Sequence, residues 1–149
     1  MSAEWEGDRE WQEKMRRAES LADLSDTFNE AIDVVVIPHF REQFESEGGG
    51  QWAPLSPAYA RRKRRLYGDR PILQATGAMM RSFTVPGAPH QIRQVGPSDA
   101  FFGSDLERAK FHQNARGRRR RKIIDRVGEL RKKVRAFMAK RLGEKLKQV

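Results

Sequence analysis

The chain contains no cysteine, which excludes disulfides, thiolate nucleophiles and zinc-thiolate sites and leaves its redox compartment open. Long apolar runs are missing too. The longest, Val34 to Ile37, falls far short of the roughly 20 residues that a membrane span requires. The acidic N-terminus lacks the charged-then-apolar layout of a secretory signal. Histidine is scarce: His39, His90 and His112 are the only ones, and none has a second ligand at the repeating helical spacing of a metal site. Ser56, Ser82, Ser98 and Ser104 lack a nucleophile-elbow context, and Gly48-Gly49-Gly50 is not followed by the Lys-Ser/Thr pair of a phosphate loop. These absences predict a soluble, non-enzymatic chain with no cofactor, no metal and no membrane contact, made in a cytoplasm.

Charge is what the sequence has in excess. Of 149 residues 34% are charged, against roughly 25% in ordinary globular domains, and the formal net charge is +10. The charge is also divided. Residues 1–60 carry 5 Lys+Arg and 13 Asp+Glu, whereas residues 61–149 carry 25 and 7. Opposed charge on two ends suits head-to-tail attraction between copies, or contact with an acidic partner through one face. The length suits one domain, 1–149, with 1–20 as a possible N-terminal extension.

The fold class predicted is α+β, a long N-terminal helix and a C-terminal helix packed on a small antiparallel sheet. In the first twenty residues Trp5, Trp11, Met15 and Ala18 suggest a short amphipathic helix of irregular spacing. From Leu21 to Val36 the apolar positions fall at three- and four-residue steps, with Ser25 and Asp26 as candidate N-caps. Pro38 interrupts this pattern, and Phe40 and Phe44 resume it, so a kinked helix or two abutting helices should end by Glu47, before the glycines. Ser56-Pro57 opens a basic helix to Leu66, in which five consecutive cations, Arg61 to Arg65, point all round and cannot all face one partner. A second short helix is expected from Ile72 to Phe83. Strands are expected at Phe83–Val85, Gln91–Val95, Ala100–Gly103 and Lys122–Ile124. Helices are expected from Leu106 to Gln113 and from Gly128 to Leu146, the latter with Leu130, Val134, Phe137, Met138, Leu142 and Leu146 on one stripe.

From Phe44 onward the order of segments carries a resemblance. A glycine turn precedes Trp52-Ala53-Pro54-Leu55-Ser56; then come a basic helix, Ile72-Leu73-Gln74-Ala75-Thr76-Gly77-Ala78-Met79-Met80-Arg81-Ser82, Val95-Gly96 and Arg108-Ala109-Lys110-Phe111-His112-Gln113. This order resembles the virion morphogenesis, or tail completion, proteins of Mu-like tailed phages, over about residues 40–125. The chain departs from the family pattern where Asn114, Ala115 and the arginine run stand in place of a glycine and a Pro-x-Arg strand. Met79 also replaces a leucine, and Arg108 a common aromatic. The resemblance implies a non-enzymatic neck component of the virion. Such a subunit forms a ring with copies of itself, meets other head-to-tail connector and tail terminator proteins, and helps join a DNA-filled head to a tail.

Among single residues, Trp52 with Leu55 reads first as a core plug locking the glycine turn, and second as a binding anchor. Pro54 and Ser82 belong to the same motifs, and Gly77 and Gly96 mark close turns. His112 and Gln113 are candidates for an intersubunit contact or for a structural bond to a neighbouring strand. Arg116, Arg118, Arg119, Arg120, Arg121 and Lys122 form the sharpest feature, with three readings open. They make a solvated loop, they contact the phosphates of packaged double-stranded DNA without sequence preference, or they pair with Glu42, Glu45 and Glu47 of a neighbouring copy. The last is preferred, because one chain carries both halves of the pair. Sequence-independent DNA binding is the alternative function.

Overall fold

The computed structural model describes residues 6–114, 121–124 and 127–148. Helix α1 (Glu6–Ala22) is held along its own surface by ion pairs one turn apart, Glu10 with Lys14 at 3.0 Å and Glu13 with Arg17 at 3.8 Å. Trp5 lies outside the described residues. Within the helix the apolar spacing is regular: Trp11, Met15, Ala18 and Ala22 share one face.

A second helical rod runs from Ser25 to Glu45 without a break, as α2 (Ser25–Ala31), a π-helical turn (Ile32–Val36) and α3 (Ile37–Glu45). Both junctions keep right-handed helical torsions. Pro38 therefore does not divide the chain. Proline lacks an N–H and crowds the carbonyl one turn back, and the wider turn immediately before it makes room. The expected caps Ser25 and Asp26 do not cap. Asp23 Oδ1 accepts the Ser25 N–H at 2.9 Å instead, and the Leu24 N–H reaches Pro97 O at 2.8 Å, pinning the start of the rod to the sheet turn.

The rod ends in four successive left-handed residues, Glu47, Gly48, Gly49 and Gly50, at φ 51 to 79°. Gly48 is essential to this turn on two counts. Its φ of +71° is costly for an L side chain, and a Cβ there would stand 2.3 Å from the Trp52 ring. Trp52 folds under the turn as expected, edge-on to Phe44 at 5.6 Å, and its indole N–H donates to Lys122 O at 2.9 Å.

Ser56 caps α4 (Pro57–Tyr67) by accepting the Tyr59 N–H. The helix expected from Ile72 begins only at Ala78, because Leu73 and Gly77 both take positive φ. Phe83, where the expected helix and strand overlapped, and Thr84, expected in the strand, complete α5 (Ala78–Thr84), and only Val85 is extended. Packing decides this: on the helix Phe83 meets Phe40 at 5.0 Å and Phe44 at 6.0 Å, and Thr84 Oγ1 donates to Met80 O. Strands β1 (Gln91–Val95) and β2 (Ala100–Ser104) form an antiparallel hairpin closed by Gly96 N–H to Asp99 O. A two-stranded hairpin is marginal alone. Here Arg93 pins it to α2 and the π-helical turn, donating to Asn29 Oδ1 and, at 2.8 Å, to Asp33 Oδ1.

Helix α6 (Glu107–Asn114) follows. Lys122 to Ile124 is not a strand. Its backbone is held by a side chain, since the Gln113 amide donates to Ile124 O at 3.0 Å and accepts the Ile124 N–H at 2.9 Å. The α+β class holds, and the C-terminal helix α7 (Val127–Lys147) packs chiefly on α2 and the π-helical turn. Arg141 bridges to Glu30 and Glu144, and Lys145 Nζ donates to Thr27 Oγ1. Leu130 reaches the core, whereas Leu146 is exposed. The core joins Phe40, Phe44, Trp52, Met79, Phe83, Ala109 and Ile123.

Candidate functional site

Beyond the C-terminal end of the rod lies a cleft of about 760 Å³, within the size range of ligand and peptide sites. One wall is the loop Pro54, Leu55, Ser56 with Pro57, Tyr59 and Lys63 of α4. The floor is Leu73 to Met79, with Gly77 at φ +78°, and the far wall is Arg108, Phe111 and His112 of α6, closed by Arg121. The described residues lining it include three cations and a histidine but no carboxylate. Three of the four motif segments, far apart in the chain, thus meet around one concavity, and Val95-Gly96 stands apart. Trp52 sits beneath it in the core.

Each charged group has a local cause. Lys63 is 5% exposed and donates to Pro71 O. Burial, opposed by Glu47 and assisted by Arg121, lowers its pKa below the ordinary lysine value. In the run Arg61 to Arg65 it is the cation that turned inward, while the four arginines are exposed. Arg121 stitches the loop to the body, Nε to Ala53 O at 2.7 Å and Nη2 to Pro54 O at 3.0 Å, and burial depresses its pKa as well. His112 is held below the usual histidine value by burial, then by Arg121 and Arg108. Its Nδ1 is buried and finds no hydrogen-bond partner among the described residues, so the neutral imidazole is the form the site favours.

The other sequence candidates are scattered. Arg116, Arg118, Arg119 and Arg120 lie outside the described residues. The Lys122 carbonyl accepts from Trp52 and Gln43, and Gln113 is engaged with Ile124, the structural alternative of its two readings. Glu42 and Glu45 are exposed on α3, whereas Glu47 turns in to accept the Ile72 N–H. Ser82 is fully buried, donating to Met79 O at 2.6 Å and bonded to Ser104 Oγ at 2.8 Å. Gly96 opens the hairpin turn, away from the cleft, where a Cβ would meet Asp99 Oδ1 at 2.8 Å.

Sequence reasoning missed the inward turn of Lys63, though a helix with cations on every face must bury one if it packs at all. It missed the His90–Asp105 pair, 2.8 Å apart and exposed, because the partners are distant in the chain. Among the described residues no group of three or more His, Asp or Glu is placed to hold a metal, and no helix is long and apolar enough to cross a membrane. No family model matches the chain, and neither a curated protein nor a solved structure matches it.

Proposed function

We propose that the chain is a structural virion protein of a tailed phage, a neck or tail completion subunit that assembles with copies of itself into a ring at the joint between head and tail. The observation that carries this reading is the convergence of the ordered motif segments. Pro54, Leu55, Gly77 and His112 come from three of them and line one cleft, as expected if the segments serve one contact rather than separate turns. The opposed charge of the two parts of the chain favours association between copies. Its other partners would be connector and tail terminator proteins, with packaged DNA passing nearby, and its location the virion. The chain has no role here as an enzyme.

The test is genetic and visual. An early stop codon in the gene, in the phage that carries it, should yield full heads lying apart from finished tails in electron micrographs of the lysate. Normally joined particles would remove the neck reading.

A second reading, sequence-independent binding of double-stranded DNA, is favoured by the exposed arginines Arg61, Arg62, Arg64 and Arg65 on α4. Phosphate neutralisation by these side chains and by Arg118 to Arg121 would make affinity steeply salt-dependent. Replacing Arg118 to Arg121 by alanine should flatten the plot of log affinity against log salt. An unchanged slope would discard those arginines as phosphate contacts.

A further inference from the structure

Helix α1 is the most exposed helix among the described residues. Its residues from Arg9 to Glu19 are all exposed, including Trp11 at 62% and Met15 at 43%, and it has no extensive packing against any other described element. Yet its apolar residues share one face, and an isolated helix of this length is marginal in water. An amphipathic helix with a bare tryptophan stripe is complete only against a partner.

The cleft has the complementary character. It offers apolar walls at Leu55, Leu73, Met79 and Phe111 beneath a cationic rim of Arg108 and Arg121. In sequence, residues 6–13 of α1 hold four carboxylates against Arg9, of which Glu10 and Glu13 also pair with Lys14 and Arg17 of the same helix. The two surfaces lie at opposite ends of the rod. Leu24, pinned to Pro97, joins α1 to the end remote from the cleft. Trp11 stands roughly 20 Å from Leu24 along its helix, while the rod carries the chain about 30 Å before the cleft begins, both at the ~1.5 Å rise of an α-helix. In the structure Trp11 stays exposed and does not line the cleft of its own chain.

We propose that α1 of one copy docks in the cleft of the next, seating Trp11 and Met15 on its apolar walls and setting the acidic first half of the helix against Arg108 and Arg121. This is helix-in-groove recognition used head to tail. It rests on the self-assembly reading above and names its interface.

The experiment uses the full chain and mixing of defective variants. Trp11→Asp with Met15→Asp spoils the arm and keeps the cleft. Phe111→Asp, or Thr76→Trp as a second choice at another exposed position, spoils the cleft and keeps the arm. Circular dichroism verifies folding of each, and light scattering after size-exclusion chromatography reads mass. Wild type should form a discrete oligomer, and each variant alone should associate about 30-fold or more weakly, the scale of losing an aromatic hot spot. An equimolar mixture of arm and cleft variants should give a heterodimer, since one sound arm and one sound cleft remain. Assembly of the arm variant like wild type would overturn this interface and leave the ring standing on other contacts. A wild type that is monomeric at every concentration and salt would overturn both readings.

Discussion

Gly48 and Gly50 stand two residues apart in one turn yet differ in what a side chain would cost. Both have positive φ, but a Cβ at Gly50 would meet nothing within 4 Å, whereas one at Gly48 would enter the Trp52 ring. Gly50→Ala should cost about 1–2 kcal/mol, the backbone penalty alone. Gly48→Ala should cost about 1–3 kcal/mol more, because Trp52 must leave the core or the turn must open; urea unfolding of the two variants checks the ordering. His112 gives the pH counterpart. Its folded pKa lies below the ordinary value of 6.5, so between the two values the unfolded chain binds more protons than the folded one. Stability should therefore fall as pH drops below about 6.5 and level off below the folded pKa. The difference in unfolding free energy between wild type and His112→Gln, followed across that range, should carry this slope. A flat difference would mean that His112 titrates normally.

At the scale of elements, α1 and the hairpin make opposite predictions. At protein concentrations where wild type is monomeric, removing residues 1–22 should leave the melting temperature of the remaining chain within about 2–4 °C of wild type, because α1 adds little burial to its own body. Replacing Arg93 by alanine should cost about 1–3 kcal/mol and speed amide exchange in β1 and β2, since that guanidinium ties the sheet to α2 and the π-helical turn. Why some elements were legible in the sequence and others were not follows from where their determinants lie. The rod, β1, β2, α4 and α7 announce themselves through local spacing and flanking Pro, Gly or Ser. Phe83 and Thr84 have β-favouring side chains, and only distant Phe40 and Phe44 decide that they finish a helix. Lys122 to Ile124 has the composition of a strand but takes its partner from the Gln113 side chain, which no local pattern encodes. Of the site, Pro54, Leu55, Gly77 and His112 were found as motif residues, and what the sequence withheld was that they share a cavity.

At the scale of the molecule, salt and geometry are the levers. An oligomer built on acidic-to-basic contacts should dissociate progressively between 0.05 and 0.5 M salt, on the order of the range over which screening lengths fall below side-chain reach; sedimentation velocity measures it. The rod's internal phasing matters as much. Phe28, Ile32, Val36, Phe40 and Phe44 recur at strict intervals of four, and each such step overshoots a regular helical turn by about 40°. Over the whole series a plain α-helix would point Phe28 and Phe44 to nearly opposite sides. The turn at Ile32–Val36 absorbs one residue, about 100° of that drift, and so acts as a gear between the half facing α7 and the hairpin and the half facing the aromatic core. Deleting the exposed Val34, with Pro38→Ala to suit a regular helix, should keep both faces in mesh and give a cooperatively folding chain. Inserting one alanine at the same place should slip the gear and strand one face in water.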